Sequence, residues 1–287
     1  METVAIFGVG LIGGSFALAI RKAGFSGRII GLSSDQNIQA ALDRKVIDEA
    51  LPAHEAAAQA DLLYLAQPIR KIADSLEELD TWVKPGALIT DAGSTKKVIV
   101  DRARQVISRA RFLGGHPMAG RERRGVEAAE ADLFQGRPYV LTPLSLADLD
   151  HPAARDLLDW IQRIGAFPVI LSADQHDQTV ALTSHLPQLA STALGAMLES
   201  RTEAQSRVYG PALVDSTRLA LSSFEIWGDI IDSNRAAICL ALDSYIAKLE
   251  EFRRAVAGES DSVVDPEVLR RGFDAGARFA TRLRDGT

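Results

Sequence analysis

Short apolar runs alternate with amphipathic segments through residues 1–110 of the 287-residue chain, and further strand-like runs follow over residues 111–171. The runs have the length of buried strands, and most segments between them place apolar residues at helical spacing. The predicted strands are residues 4–7, 28–32, 61–66, 87–90, 111–114, 139–142 and 167–170. This alternation is typical of β-α-β units on a parallel sheet, which the last three strands extend.

A glycine motif joins the first predicted strand to the helical segment after it, with the spacing Gly8-x-Gly10-x-x-Gly13. The first glycine allows a tight turn, the second lets a pyrophosphate approach the backbone, and the third lets the helix pack on the strand. Phosphates then lie at the positively polarised helix N-terminus. The motif therefore predicts a dinucleotide site, which we expect Leu11 and Ile12 to border.

The pattern changes at about residue 172, where strand signals end and long segments with helical spacing follow. The predicted helices are residues 174–198, 211–222, 226–255 and 266–283. We therefore predict an α/β N-terminal Rossmann-type domain over residues 1–171 and an all-α C-terminal domain over residues 172–287. Apolar residues are dense across 226–246, more than a single helix layer easily covers, which predicts a homodimer. A monomeric helical cap is the alternative.

Ligands of open α/β sheets bind outside the carboxyl ends of the strands, so residues that follow each strand are further candidates. Gln67 and Pro68 follow the third predicted strand, and Ser33 and Ser34 follow the second. An acid at the Ser33 position would bind the ribose hydroxyl of NAD and repel the 2′-phosphate of NADP. Serine removes this repulsion, so we predict NAD or NADP as the cofactor and favour NADP.

The composition is that of an ordinary globular enzyme, with 47% hydrophobic and 24% charged residues. A net charge of −6 argues against a nucleic-acid partner, whose binding surface is usually basic. Residues 4–20 carry no charge, but they follow no basic segment and contain four glycines, which argues against a signal peptide or membrane anchor. The single cysteine, Cys239, predicts a cytoplasmic protein without an internal disulfide, and we expect it to pack in the core.

The segment Asp91-Ala92-Gly93-Ser94-Thr95-Lys96 follows the fourth predicted strand. Its local pattern suits a helix start with Ser94 or Thr95 as the N-cap. The functional alternative places Ser94 at the carboxyl edge of the sheet, beside the nicotinamide of a bound cofactor. The residues alone leave both interpretations open.

A histidine lies among glycines in Gly114-Gly115-His116-Pro117-Met118-Ala119-Gly120. The glycines predict a tightly turning loop that carries the imidazole of His116. Histidine is the side chain whose ordinary pKa suits proton transfer near neutral pH. A histidine that only caps the turn is the alternative.

Polar side chains also cluster in the helical part. The clusters are His176-Asp177, Ser184-His185-Leu186-Pro187-Gln188 and Asp215-Ser216-Thr217-Arg218. Pro187 interrupts a helical pattern, so we predict a kink and a freed backbone carbonyl beside His185. The chain has no HExxH motif and no paired Cys/His spacing, and we predict no metal site.

These motifs occur in an order that resembles the prephenate/arogenate dehydrogenase family of tyrosine biosynthesis. The specific segments are the Gly115–Gly120 run and Ser184-His185-Leu186-Pro187, and the resemblance spans residues 4 to about 235. It implies an oxidative decarboxylation in which hydride passes to NAD(P)⁺ and a cyclohexadienol ring becomes aromatic. Prephenate would give 4-hydroxyphenylpyruvate, and arogenate would give tyrosine.

The resemblance also implies roles for individual residues. His116 would accept the proton of the ring 4-hydroxyl, and Ser94 would hold that hydroxyl and His116 in place. His185, Gln188 and Arg218 would bind the substrate, with Arg218 paired to a carboxylate.

Two residues depart from the family pattern. Val214 stands before the Asp of the Arg218 motif, where many relatives have a basic or polar residue, and Arg121 stands where Thr or Ser is usual. We expect Arg121 to supply a positive contact to the substrate carboxylate, and the choice between prephenate and arogenate stays open.

Two other classes of protein are alternatives. A β-hydroxyacid dehydrogenase or imine reductase also joins a Rossmann-type domain to helices, but tends to have a catalytic lysine or aspartate where this chain has Ser184-His185-Leu186-Pro187. A non-catalytic dinucleotide sensor would leave the histidines without a role.

Overall fold

The computed structural model describes residues 1–120, 123–199, 208–257 and 266–285. Its strands are β1 (Thr3–Phe7), β2 (Arg28–Leu32), β3 (Glu49–Ala50), β4 (Leu62–Leu65), β5 (Leu88–Asp91), β6 (Arg111–Pro117), β7 (Pro138–Pro143) and β8 (Phe167–Ile170). Its helices are α1 (Leu11–Lys22), α2 (Asp35–Asp43), α3 (Ala53–Gln59), α4 (Ile69–Trp82), α5 (Lys97–Val106), α6 (Pro152–Arg163), α7 (Ala173–Val180), α8 (Leu186–Glu199), α9 (Pro211–Thr217), α10 (Phe224–Ser233), α11 (Arg235–Ala257) and α12 (Pro266–Asp285).

The strands form one sheet in the order β3-β2-β1-β4-β5-β6-β7-β8. All neighbouring strands are parallel except β6 and β7, which are antiparallel. The chain runs outward from β1 to β3 and then returns to the other side of β1 at β4, so a crevice opens between β1 and β4 at their carboxyl ends. The seven predicted strands are confirmed, and among the strands of the described residues the sequence missed the two-residue β3.

Helices cover both faces of this sheet because successive strand residues point to opposite sides. In β1, Val4 and Ile6 belong to a core on one face, where α1, α2 and α6 pack, and Ala5 and Phe7 belong to a second core with α3, α4 and α5. All four side chains are 4% exposed or less. Burial on two faces explains why the strands read as continuous apolar runs rather than as alternating ones.

His116 lies on β6, opposite Val140 of β7, and not on the tightly turning loop that the glycines predicted. A Cβ on Gly115 would meet the Asp91 carbonyl oxygen at 2.6 Å, and a Cβ on Gly114 would collide with Thr142 Oγ1. The two glycines therefore allow the strands to approach closely, and they leave the backbone extended.

The helix predicted over residues 174–198 is interrupted by a π-turn at Ala181–His185, between α7 and α8. Pro187 lacks an N–H, so it cannot bond to the carbonyl of Thr183 one turn earlier, and the backbone widens at this point. The helix is thus interrupted beside His185, and the predicted kink and freed carbonyl stay predictions. The helix predicted over residues 226–255 is broken at Asn234, which lies between α10 and α11.

By its internal contacts the chain divides into two compact units, residues 1–235 and residues 236–287. The sequence placed a domain boundary at 171/172, and that boundary stays a prediction. The second unit exposes many large apolar side chains: Leu240, Tyr245, Ile246, Leu249, Val256, Phe273, Phe279 and Leu283. Cys239 is exposed in this unit, so the expectation that it packs in the core is wrong. No helix within the described ranges is both long and apolar enough to span a lipid bilayer.

Candidate active site

Two adjoining cavities open at the carboxyl ends of the strands, with volumes of about 530 and 550 Å³. Both are lined by Gly10, Gln67 and Pro68. The first cavity also contacts Gly8, Ser33, Ser34, Asn37, Lys71 and Trp82. The second also contacts Leu11, Ile12, Gly93, Ser94, Arg123 and Arg124.

The glycine motif shapes the first cavity. Gly8 has φ +99°, a conformation that favours glycine, and a Cβ there would meet the Ala66 carbonyl oxygen at 2.5 Å. A Cβ on Gly10 would have no atom within 4 Å, so its face is open to the cavity. Gly13 lines neither cavity, because it packs against Gly8 and Ile6.

The residues of this cleft fit a bound dinucleotide. Helix α1 begins behind Gly10 without a side-chain cap, so the backbone N–H groups of its first turn are available to a phosphate. Gln67 lines both cavities and carries a buried Oε1 that has no partner among the described residues. An acceptor of this kind suits an N–H donor of a ligand.

A buried ion pair lies at the end of β5, next to the loop that lines the second cavity. The Asp91 carboxylate contacts Lys96 Nζ, and both side chains are fully buried. Asp91 also accepts hydrogen bonds from the backbone N–H groups of Gly93 at 2.8 Å and Gly115 at 3.2 Å. The end of β5, the loop that carries Ser94 and the strand that carries His116 are thereby joined.

Neither Ser94 nor Thr95 is the N-cap of α5, which begins at Lys97 with Lys96 as its N-cap. The carboxylate of Asp177, from α7, accepts the N–H groups of Lys96 and Lys97 instead, at 2.7 and 3.0 Å. Ser94 is half-buried and lines the second cavity, and its place beside a nicotinamide stays a prediction.

A chain of hydrogen bonds joins three side chains at the same edge of the sheet. His116 Nδ1 lies 2.7 Å from His176 Nε2, and His176 Nδ1 lies 2.7 Å from Asp177 Oδ1. Asn234 donates from Nδ2 to the main-chain oxygen of Asp177 at 2.7 Å, and lies 3.3 Å from His185 Nδ1. Residues from β6, α7, the π-turn and the α10–α11 junction therefore form one cluster.

The histidines of this cluster are neutral near pH 7. Burial holds the pKa of His116 well below its usual 6.5, and the positive charge of Lys96 lowers it further. Burial also lowers the pKa of His176, although Asp177 opposes the shift, and it lowers the pKa of His185 to about 4.

The predicted substrate-binding residues differ in how deeply they are buried. His185 is buried in the π-turn, with its ring 5.8 Å from that of Trp227. Gln188 is also buried, and its Nε2 donates to the Leu219 carbonyl at 2.8 Å, which ties α8 to the turn that begins at Arg218. Arg218 itself is exposed and does not line either cavity. Arg121 lies outside the described residues. The substrate contacts of these side chains stay predictions.

Several cluster and cavity residues were not assigned a role by sequence reasoning. Lys71, Arg123 and Arg124 line the cavities without belonging to any motif, and Asn234 gave no local signal. His176 and Asp177 were noticed as a polar pair, but only the fold brings them to His116. In residues 1–120, 123–199, 208–257 and 266–285, no three His, Cys, Asp or Glu side chains come together as metal ligands.

The fold and its cleft define a Rossmann-type dehydrogenase of the NAD(P)-dependent class. Within that class, the chain belongs to the prephenate dehydrogenase family. Residues 16–171 match the model of the prephenate dehydrogenase nucleotide-binding domain, and residues 172–271 match that of its dimerization domain.

Known proteins are similar to the chain over nearly its whole length. A prephenate dehydrogenase of Bacillus subtilis is 36% identical across 99% of this chain and 76% of its own. The solved structure of Aquifex aeolicus prephenate dehydrogenase with hydroxyphenyl propionate and NAD⁺ aligns with a TM-score of 0.87 at 28% identity, covering 98% of each chain. Synechocystis arogenate dehydrogenase aligns with a TM-score of 0.81 at 27% identity, covering 98% of this chain and 99% of its own.

The alternative enzyme classes share the fold alone. A 3-hydroxyisobutyrate dehydrogenase and an imine reductase align with TM-scores of 0.54 and 0.53, at identities of 14% and 15%. The TM-scores of 0.87 and 0.81 to the prephenate and arogenate dehydrogenase structures are higher, as are the identities of 28% and 27%.

Replacement of Lys96 by Met will leave Asp91 as an uncompensated buried charge. We expect a loss of about 3–5 kcal/mol in the free energy of unfolding, measured by urea denaturation. Lys97→Met is the matched control, because the Lys97 side chain is half-exposed and pairs with Asp101 and Asp174 at the surface, where such a pair contributes about 1 kcal/mol or less. Equal losses in the two variants would contradict a structural role for the buried pair.

Proposed function

We propose that the chain catalyses the oxidative decarboxylation of prephenate or arogenate, with NAD(P)⁺ as the hydride acceptor. The observation that carries this proposal is a neutral imidazole, His116, which is held by a hydrogen bond to His176 at the edge of the sheet that also bears the dinucleotide cleft. Membership in the prephenate dehydrogenase family supports the same reaction. Incubation with each cyclohexadienol and each cofactor, followed by absorbance of the reduced nicotinamide, tests the proposal and measures the substrate preference.

The proposed chemistry needs a proton acceptor at the ring 4-hydroxyl. When bound, NAD(P)⁺ accepts the hydride that leaves ring carbon C4. In our proposal His116 accepts the hydroxyl proton as the oxygen becomes a carbonyl, and Ser94 holds that oxygen in line with the imidazole. Loss of CO₂ from C1 then returns an electron pair to the ring, and His116 gives the proton back to the phenolic oxygen. Aromatisation drives the sequence, so orientation is the main task of the protein.

We further propose that positive side chains receive the substrate carboxylates. Arg123 and Arg124 line the second cavity together with Ser94, Glu225 and Asp229, and Glu225 lies 3.8 Å from Arg124. In our proposal Arg123 pairs with a substrate carboxylate, and Arg124 exchanges its contact to Glu225 for a second one. Arg218, Arg121, His185 and Gln188 are retained as proposed substrate-binding residues, since their family motifs are present in the chain. A neutral His185 would act as a hydrogen-bond partner rather than as a charge.

Replacement of His116 by Asn keeps a hydrogen-bonding group but removes the proton acceptor. We expect His116→Asn and His116→Ala to lower kcat by about 10²–10⁴-fold, with KM for the cyclohexadienol within a few-fold, as for an interaction made mainly in the transition state. In the wild type, activity will be lost as the pH falls through the lowered pKa of His116, so its acid limb will lie below pH 6.5. An Asn variant with nearly full kcat would identify another group as the acceptor.

For the cofactor we propose that NADP⁺ is accepted and preferred. Ser33 and Ser34 line the first cavity and carry no charge that would repel a 2′-phosphate, and Asn37 donates to Ser33 Oγ at 3.3 Å. Lys71 lines the same cavity and supplies a positive charge to it.

Replacement of Ser33 by Asp will restore the repulsive charge, and Lys71→Ala will remove the attractive one. We expect each change to weaken NADP⁺ binding about tenfold or more, with smaller effects on NAD⁺, in calorimetric titrations of the enzyme without substrate. Lys22→Ala is the control, because Lys22 is an exposed residue that pairs with Asp132 away from the cleft. A wild-type enzyme that binds NAD⁺ much more tightly than NADP⁺ would refute the preference.

We propose a homodimer that forms through the second compact unit. The match to a dimerization domain supports it, as do exposed apolar side chains such as Leu240, Phe273 and Leu283, which are 67–76% exposed in one chain.

We also propose a cytoplasmic location, because the chain's single cysteine is an exposed free thiol that suits a reducing compartment.

Light scattering at micromolar concentration should give about twice the 30.9 kDa mass of the chain. Phe273→Glu and Leu240→Glu should shift the equilibrium towards the monomer, because each places a charge on the apolar surface. Leu146→Glu is the control, since Leu146 is 74% exposed but lies in the first unit. A wild-type monomer at this concentration would defeat the proposal.

A further inference from the structure

Asp177 is the fixed end of the hydrogen-bond chain that reaches His116. Its two carboxylate oxygens accept the backbone N–H groups of Lys96 and Lys97, and only 4% of the residue is exposed. A carboxylate held by two amide donors is an acceptor in its remaining contact as well. The 2.7 Å contact to His176 Nδ1 therefore requires a hydrogen on that nitrogen.

The hydrogen on His176 Nδ1 in turn determines which nitrogen of the His116 ring carries a hydrogen. The side chain is fully buried, and burial lowers its pKa, so the ring carries one hydrogen and that hydrogen lies on Nδ1. Nε2 is then an acceptor. Because Nε2 of His176 lies 2.7 Å from Nδ1 of His116, the hydrogen in that contact belongs to His116.

We infer that Asp177 and His176 are positioning residues that hold His116 in its Nδ1–H tautomer, which leaves the Nε2 lone pair free to take the 4-hydroxyl proton. The role of that proton rests on the proposed function, whereas the tautomer depends on the hydrogen bonds alone. In the opposite tautomer Nε2 of His116 carries a hydrogen and cannot act as a base. The carboxylate would also stabilise the imidazolium that forms on His116, as orienting carboxylates do for other histidine bases.

The same carboxylate fixes the neighbouring loop. By capping α5, Asp177 holds the start of the helix that directly follows Ser94 and Thr95. Asn234 in turn holds the main-chain oxygen of Asp177 at 2.7 Å. Asp177 therefore sets both the tautomer of His116 and the position of the segment that bears Ser94.

Nuclear magnetic resonance of the full chain labelled with ¹⁵N-histidine tests the tautomer directly. The chain has five histidines, and the His116→Asn spectrum assigns the signals of His116 by their loss. Long-range ¹H–¹⁵N correlations at pH 7.5 should show a protonated Nδ1 and a bare Nε2 on His116. A protonated Nε2 on His116 in the wild type would overturn the inference.

Two variants of His176 supply the kinetic test. Leu fills the space without an acceptor, whereas the side-chain oxygen of Gln lies near the position of Nε2 and can accept from His116. We expect His176→Leu to lower kcat about 10–100-fold with KM for prephenate or arogenate within threefold, and His176→Gln to recover most of that loss. His151→Gln, at the start of the distant α6, is the matched control and should leave kcat unchanged.

The outcomes separate this inference from the proposed function. A His176→Gln variant as slow as His176→Leu, with both folded by circular dichroism, would overturn the positioning role. If the Leu variant does not fold, the wild-type spectrum and the Gln variant still decide the question. A wild-type chain that turns over neither cyclohexadienol would defeat the proposed function, while the tautomer measurement would remain decisive for the inference.

Discussion

The buried contact between Asp91 and Lys96 is the constraint on which the rest of the site depends. Two opposite charges without solvent are stable only when further hydrogen bonds satisfy them, and the N–H groups of Gly93 and Gly115 do this for the carboxylate. Gly115 can donate because its missing side chain lets β6 approach the Asp91 backbone. One carboxylate thus sets the spacing of the two strand ends that carry Ser94 and His116.

Burial also determines the charge of the site. Loss of solvent makes it costly to break the Asp91–Lys96 pair. The same loss of solvent lowers the pKa values of His116, His176 and His185 and keeps their imidazoles uncharged, because another buried cation near Lys96 would be unfavourable. A neutral histidine is the form that can accept a proton. The fold therefore keeps His116 in the form that can act as a base at neutral pH. No carboxylate contacts His116 in the described hydrogen-bond chain, because Asp177 contacts His176, which in turn contacts His116.

Local patterns predicted those features that depend on local chemistry. The glycine motif, the apolar strands and the effect of Pro187 were readable because turn geometry, two-sided burial and a missing N–H act within a few residues. The extended backbone at His116 was misread as a loop, because glycines needed for close strand approach look the same in sequence as glycines needed for a turn.

Contacts between distant segments were beyond the reach of the sequence. Capping of α5 by Asp177 joins residues about eighty positions apart, and a nearby Ser94 or Thr95 was the natural candidate for the cap. The break at Asn234 interrupts an apolar helical pattern at a residue that is neither glycine nor proline, and the Asn234 side chain donates to the main-chain oxygen of Asp177 on another helix. Lys71 reaches the cleft from α4, where its position in an amphipathic helix resembles that of any surface lysine.

The π-turn at Ala181–His185 has an angular consequence for the residues on either side of it. In a regular α-helix each residue advances by about 100°, so Asp177 and His185, eight positions apart, would differ by roughly 80° around the axis. A π-turn absorbs one extra residue, which reduces that difference to about 20° and brings the two onto one side. Asn234 contacts both. Deletion of a single residue from this turn would convert it to regular α-helix and leave the phase of α8 unchanged, so the widened turn accommodates one additional residue while Asp177 and His185 stay on one side.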